Sequence, residues 1–392
     1  MAWKLDTVID WLFCESRTIL DGKRFVEQLG QQLINSGAPV WRLRLGCRII
    51  HPQFGGLSFT WSGEMEQALE FQPKHGFLEN DVYIGSPFQY VVETGKSFRC
   101  RMHELDEDKD HQLLFDLAAE GVTDYLAVPM RMSDGNTANF VLASKSDQGF
   151  SDDDIILMEE LALYIAPVFE VITIRRLART ILNTYVGPRT GERVLSGQIK
   201  RGDGELIHSA IWFSDLRDFT PLTEALEPQA LLDLLNAYFE IVSAAVTARG
   251  GEVLKFIGDA MLIVFPVGET STPNQACEAA LGAAKDAFGE LAALNLRRKR
   301  ADQPAIRFGV GLHLGELIYG NVGAPDRLDF TVLGSAVNRT ARLESLTKNL
   351  GSPLLMSADF SALVSEDTRS LGFHGMKGIA EKQEVFALPA KT

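Results

Sequence analysis

Among the 392 residues, the pair best suited to chemistry is Asp215 and Asp259. Asp215 lies just past a strand-like apolar run, Ile207 to Phe213. Asp259 follows Gly258 at the junction of two short strand-like runs, GEVLKFI and AMLIVF. That junction suits a tight hairpin with glycine in its turn, which carries Asp259 to the end of the strand closed by Asp215. Two carboxylates on adjacent strand ends offer the oxygen ligands that Mg2+ or Mn2+ take, in centres where paired ions sit roughly 3.5–4 Å apart. One such ion lowers the pKa of an attacking hydroxyl and the other anchors phosphate oxygens. Aspartates are also common in ordinary turns, so from the pair alone both readings stay open.

The elements that must hold this pair follow from apolar spacing. After Asp215 a helix is expected, with Leu226, Leu231, Leu234, Leu235, Tyr238, Phe239, Ile241 and Val242 as its stripe. Further along, RFGVGLHLGELIYGNVG reads as a pair of strands, and SAVNRTARLE opens a helix on which Asn338 and Arg342 stand one turn apart on the same face. Taken by themselves, Asn338 is a helix-start residue and Arg342 an ion-pair partner for Glu344 or another surface carboxylate.

The first half has its own pattern. Trp3, Val8, Ile9, Trp11, Leu12 and Phe13 form one face of a short docking helix, and a second helix covers Gly22–Ser36. WRLRLGCRII, GLSFTW, QYVVE, YLAVPMRM and NFVLASK read as strands, with Ser133–Asn136 as a turn between the last two. An antiparallel sheet flanked by helices is expected. From Ile155 to Tyr185 the chain reads as one long helix, with Tyr164, Val171, Ile174, Ala178, Ile181 and Tyr185 on a seam suited to a parallel helix pair. Pro167 should kink that helix or mark its start. The alternative is a lone amphipathic helix packed on its own domain. The polar, glycine-rich RTGERVLSGQIKRGDGE after it is a connector.

Four stretches together carry a resemblance. FSDLRDFT and GGEVLKFIGDAMLIVF resemble the two metal motifs of class III adenylate and guanylate cyclases, and RFGVGLHLGELIYGNVG and TVLGSAVNRTARLE match later motifs of that family in order. The resemblance implies a ferredoxin-like α/β (α+β) catalytic fold over 206–392. It implies that Asp215 and Asp259 bind two divalent cations, Mg2+ or Mn2+, with the Leu216 carbonyl as a further metal ligand. Backbone N–H groups from Leu216 through Phe219 and Thr220 would cradle the triphosphate. Asn338 would position the ribose or the transferring phosphoryl group, and Arg342 would neutralise charge on the α-phosphate. The implied reaction is in-line attack of the ribose 3′-hydroxyl on the α-phosphorus with loss of pyrophosphate. In this family each site is shared across a homodimer, with the aspartates from one protomer and the remaining groups from the other. Residues 1–154 resemble a GAF-type sensor domain, most clearly at QGFSDDDIILMEELA, where Ser151 caps the closing helix; a dimerisation scaffold without a ligand is the alternative. Residues 155–205 are then a signalling helix and connector.

Base choice rests, by the same resemblance, on Lys255 and Thr331. An ammonium donates to adenine N1 and a hydroxyl accepts from the N6 amino group, whereas a lysine leaves guanine N1–H unpaired. ATP is therefore the expected substrate. The Lys/Thr combination resembles the subgroup associated with bicarbonate or CO2 response. Asp218 stands where the family commonly has Gly, and an inward carboxylate there would weaken triphosphate binding. Lys377, in GMKGIAE, sits where the family has a lysine-bearing loop that can reach the phosphates; a solvated lysine is the equal alternative. A catalytically silent nucleotide-binding module and a guanylate cyclase are the rival functions.

Bulk properties narrow the setting. A net charge of −14 argues against nucleic acid or an anionic membrane as partner. The apolar runs read as too short for a membrane span, and the acidic residues in MAWKLDTVIDWLFCES argue against a secretory signal. Four scattered cysteines read as free thiols, so a cytoplasmic setting is expected, with a small-molecule or protein signal of unknown identity at the N-terminal domain.

Overall fold

The N-terminal apolar residues form helix α1 (Leu5–Cys14), which buries Val8, Trp11 and Leu12; Phe13 falls off that face and stays exposed. The computed structural model describes residues 3–197, 200–269, 271–379 and 381–389. The chain divides into two units, Met1–Ile181 and Leu182–Thr392.

In the first unit, α2 (Gly22–Asn35) precedes β1 (Arg42–Arg48), β2 (Gly56–Ser62) and β3 (Leu69–Phe71). Then come α3 (Pro87–Thr94), β4 (Phe98–Arg101), α4 (Gln112–Ala119), β5 (Asp124–Arg131), β6 (Thr137–Ser144) and α5 (Asp152–Val186). The strands make one antiparallel sheet in the order β3-β2-β1-β6-β5-β4. Alternation sends Leu43, Leu45, Leu57, Phe59, Phe140 and Leu142 to the face covered by α1, α2 and α5. The opposite face is covered by α3 and α4. The Ser133–Asn136 turn closes β5 onto β6, with Gly135 at φ 84°.

QYVVE is helical, not extended. Ser86 accepts from the Gln89 N–H, Pro87 occupies the first turn, and Gly95 at φ 64° ends the helix, so caps at both ends override the apolar run's strand preference. Ser151 caps α5 as expected: its Oγ accepts from the Asp154 N–H at 3.2 Å while Asp154 Oδ2 accepts from the Ser151 N–H at 2.8 Å. Pro167 lies inside α5, which continues through it. Met158, Leu161, Ile165, Phe169 and Ile172 are buried, while Val171, Ile174 and Tyr185 of the expected seam are exposed.

The second unit begins with α6 (Pro188–Leu195), so the connector is partly helical. Arg189 and Arg193 ion-pair with Glu205, the Arg189 N–H donates to Glu252 at 3.1 Å, and buried Thr190 and Tyr319 share a hydroxyl hydrogen bond. The connector residues 198 and 199 lie outside the described residues. There follow β7 (Gly204–Leu216), α7 (Phe219–Ala225), α8 (Pro228–Ala248), β8 (Glu252–Ile257), β9 (Ala260–Pro266), α9 (Pro273–Arg300), β10 (Phe308–Ala324) and β11 (Arg327–Leu333). The unit closes with α10 (Ser335–Leu350), β12 (Leu354–Ser357), α11 (Ala358–Ser361), β13 (Arg369–His374) and β14 (Gln383–Ala387). RFGVGLHLGELIYGNVG is one 17-residue strand, β10, not a strand pair; it runs antiparallel to β7 from Phe308↔Leu216 to Gly320↔Gly204 and then hairpins into β11.

The run β7-α8-β8-β9-α9-β10, with spatial order β10-β7-β9-β8, is the split βαββαβ arrangement. Trp212, Met261, Ile263, Phe308 and Val310 meet α8 and α9 in the core. Helix α8 is long and apolar enough to cross a membrane by length and composition, contrary to the reading of short apolar runs; here Leu234, Tyr238, Val242 and Val246 bury one side of it against the sheet.

Candidate active site

The antiparallel pairing of β7 with β9, and of β9 with β8, brings the β8–β9 turn to the end of β7. Gly258 takes φ 64° in that turn, a left-handed conformation glycine reaches without steric cost. Asp259 thereby comes close enough to Asp215 for the two carboxylates to interact electrostatically. Burial first, and the Asp215 charge next, push the Asp259 carboxyl up to about 6. Two half-buried carboxylates this close favour a shared proton or a cation, and they offer the oxygen donors a divalent metal takes, although no third His, Cys, Asp or Glu among the described residues joins them. Leu216 is buried at the end of β7, beside this pair in sequence.

Below the pair runs an ion pair that sequence reasoning missed. Arg217 meets Glu344 of α10 at 3.2 Å and also donates to Thr347 Oγ1. Glu344 is nearly inaccessible to solvent, and burial pushes its carboxyl up to about 7 against the opposing pull of Arg217. Gly309, opposite Asp215 on β10, makes room: a Cβ there would lie 2.0 Å from the Arg217 guanidinium and 2.6 Å from Glu344. Replacing Glu344 would leave a mostly buried guanidinium uncompensated beside the aspartates.

Helix α10 packs through Ala336, Thr340, Leu343, Glu344 and Thr347. Asn338 and Arg342 are consequently on its exposed side. Arg342 makes no ion pair among the described residues, and Glu344, its candidate surface partner, is committed to Arg217. Lys255 on β8 bonds its Nζ to the Asp329 carboxylate of β11. Asp329 is two residues before Thr331, so both side chains leave the same face of that strand. Within one protomer, then, the aspartates form one cluster, and Lys255 joins the Thr331 strand through Asp329. Asn338 and Arg342 face outward on α10.

Residues 206–381 match the family described as the adenylate and guanylate cyclase catalytic domain. Over these residues the chain is similar to the catalytic domain of that family. Adenylate cyclase 1 of Rhizobium meliloti is 31% identical over 178 residues, which are 44% of this chain and 26% of that protein. The adenylate cyclase of Anabaena cylindrica is 33% identical over 159 residues, 41% of this chain and 31% of that protein. The chain thus spans less than a third of the length of these relatives. A solved bacterial light-regulated adenylyl cyclase aligns over 67% of this chain and 85% of its own, at 24% identity and TM-score 0.50, a likeness of fold.

Two further details bear on the triphosphate and lysine expectations. The Arg217 N–H is already bonded to the Arg307 carbonyl at 2.7 Å, so it is not available to a phosphate; Phe219 and Thr220, at the first positions of α7, have no intrahelical acceptor for theirs. Lys377 is exposed in the β13–β14 connection and makes no ion pair among the described residues. The lysine whose charge reaches Asp259 and Glu344 is Lys348 on α10.

Asp218 takes φ 58°, the conformation a glycine would adopt there, and its carboxylate pairs with Arg307 at 2.7 Å, both groups well exposed. Its carboxylate is thus engaged by Arg307 at the surface. Asp218→Gly relieves the left-handed strain but removes only an exposed pair, and such pairs contribute about 0–1 kcal/mol. The expected result is a kcat/KM for nucleotide within about threefold of the parent, read in a steady-state assay. A tenfold gain would mean that the carboxylate does repel the triphosphate.

Proposed function

We propose that this chain is an adenylate cyclase, converting ATP to 3′,5′-cyclic AMP and pyrophosphate as a homodimer with shared sites. The observation that carries this reading is the Asp215–Asp259 pair in a stretch similar to the class III cyclase catalytic domain, which leaves Asn338 and Arg342 exposed on α10. The ribose 3′-hydroxyl would attack the α-phosphorus; its proton leaves to solvent, and the bond to pyrophosphate breaks. Asp215, Asp259 and the Leu216 carbonyl would hold two Mg2+ or Mn2+ ions, which supply Lewis-acid activation of the hydroxyl and anchorage of phosphate. Phe219 and Thr220 N–H groups would hold the triphosphate. From the partner subunit, Asn338 would orient the ribose and Arg342 would meet the charge that builds in the transition state.

Exposed apolar residues support association: Ile318, Val322, Leu328 and Leu333 on β10–β11, and Val171, Ile174 and Tyr185 along α5. In this reading residues 1–154 are a GAF-like regulatory domain, 155–205 the coupling helix and connector, and 206–392 the catalytic domain of a cytoplasmic enzyme. The deciding assay supplies the full chain with ATP or GTP and Mg2+ or Mn2+, with Asp259→Ala as control. Cyclic AMP from ATP, lost in the variant, supports the proposal; no product with any pairing, even from residues 200–392 at high concentration, would leave a silent nucleotide-binding module. An unchanged rate when bicarbonate is added at constant pH would exclude membership of the bicarbonate-responsive subgroup.

A guanylate cyclase is the second reading, and Asp329 is what favours it. Its carboxylate, bonded to Lys255, adds an acceptor that guanine N1–H could use. Under the adenylate reading, Asp329 holds the ammonium while further Lys255 hydrogens face adenine N1. Lys255→Ala should then lower kcat/KM for ATP about tenfold and hardly change that for GTP, so that the ATP/GTP ratio falls. A ratio that rises would assign GTP as the substrate.

A further inference from the structure

The face of the first unit's sheet that turns toward α3 and α4 is unusual for a covered face. Alternation places Arg42, Arg44, Ser58, Thr60 and Asn139 on it, opposite to the side that buries Leu43, Leu45, Leu57, Phe59 and Phe140. These polar residues line a cavity of about 550 Å³, within the range of small-molecule sites. Its walls also include Phe71, Phe77, Phe88, Val92 and Leu113. A sheet face that merely packed on helices would be apolar throughout, and a solvated one would not be roofed by phenylalanines.

Charge and hydrogen bonding point to what the cavity takes. Arg44 has no carboxylate partner among the described residues: its guanidinium donates to Ser58 Oγ at 3.1 Å and lies 4.3 Å from the centre of the Phe88 ring. Burial pulls its pKa down, the mark of a cation without sufficient countercharge. Arg48, Lys74 and His75 line the same cavity, and Arg42, at its edge, is held by Glu120. Glu70, the one carboxylate among the described lining residues, is bound through both oxygens by Arg176. Two buried polar atoms of the lining, Tyr83 Oη and Asn139 Oδ1, have no hydrogen-bond partner among the described residues. Cationic excess in a chain of net charge −14 is thus concentrated on one roofed apolar cavity.

We infer that this cavity binds a small organic anion, a carboxylate or phosphate on an aromatic or apolar body, with Arg44 as its anchor. Arg44 and Ser58 receive the anion, Tyr83 and Asn139 meet polar groups elsewhere on the ligand, and the Phe88 and Phe77 side take its apolar body. This site is independent of the nucleotide chemistry proposed above.

The test uses the full chain and two fluorescent probes of similar shape, anilinonaphthalene sulfonate, which is anionic, and N-phenylnaphthylamine, which is neutral. The expected result is saturable binding of one sulfonate per chain, about tenfold or more tighter than the neutral probe. Arg44→Gln should erase that difference with the neutral probe unaffected, and Arg44→Lys should retain part of it. Benzoate and phenyl phosphate are then added as competitors, and whichever displaces the sulfonate identifies the anion. Should Arg44→Gln melt abnormally, Val92→Trp, which fills the cavity from α3 without removing a charge, must abolish binding of both probes. Equal affinity for the two probes, sulfonate binding unchanged by Arg44→Gln in a normally folded chain, or displacement by neither competitor would overturn the assignment.

Discussion

Asp259→Asn should lower cyclic nucleotide formation about a thousandfold or more, since it withdraws an anionic ligand from metal activation that contributes several kcal/mol to such transition states. The same substitution should raise the melting temperature of the metal-free protein. Asp259 in the folded chain is raised to about 6 from an ordinary value of 3.8, by burial and by the Asp215 charge. An acid raised on folding binds protons more tightly when folded, so its penalty is absent below about 4, grows between 4 and 6, and is complete above 6. The gain from Asn should follow that window, appearing at pH 8 and vanishing near pH 4. Adding Mn2+ or Mg2+ to the parent should reverse the order, because the ions relieve the same penalty and compete with the proton. Thermal melts at pH 4, 6 and 8, with and without metal, read all of this. A variant that is inactive but never more stable than the parent in the metal-free state would mean that the two carboxylates are not in contact.

Much of this centre was legible from local residues. The β8–β9 hairpin followed from Gly258 between two apolar runs, and the position of Asp259 followed from the hairpin. Asn338 and Arg342 share a helix face because their spacing is four, whatever the helix packs against. The Ser86–Pro87 cap and Gly95 were also visible, yet the apolar run QYVVE between them was read as strand; a short apolar run does not report its own period, and the caps should have decided it. Tertiary partners were not legible. Arg217 is 127 positions from Glu344 and Lys255 is 74 from Asp329, and only the sheet and α10 bring them together. The same holds for the Arg44 cavity. RLRLGCR announces alternation, but not that the arginine face is roofed by Phe88 instead of water.

Mixing two inactive variants gives the prediction most specific to a shared site. Asp259→Ala leaves α10 intact, and Arg342→Ala leaves the aspartate pair intact; each homodimer should be nearly inactive by itself. If each site draws its aspartates from one protomer and its arginine from the other, a mixed dimer has one site lacking both groups and one complete. Random exchange of equal amounts makes half of the dimers mixed, so activity should return to about a quarter of the parent's. A single protomer that built its own site would recover nothing, since neither chain in the mixture carries the full set. The exposed position of Asn338 and Arg342, beside an Arg217–Glu344 pair that fixes α10 against β7, favours the shared arrangement. The helix pair supplies a control. Glu at both Ile174 and Ala178 puts charges into the α5 seam without touching either half-site. If that seam holds the dimer, these substitutions should lower specific activity at low protein concentration and restore it as concentration rises.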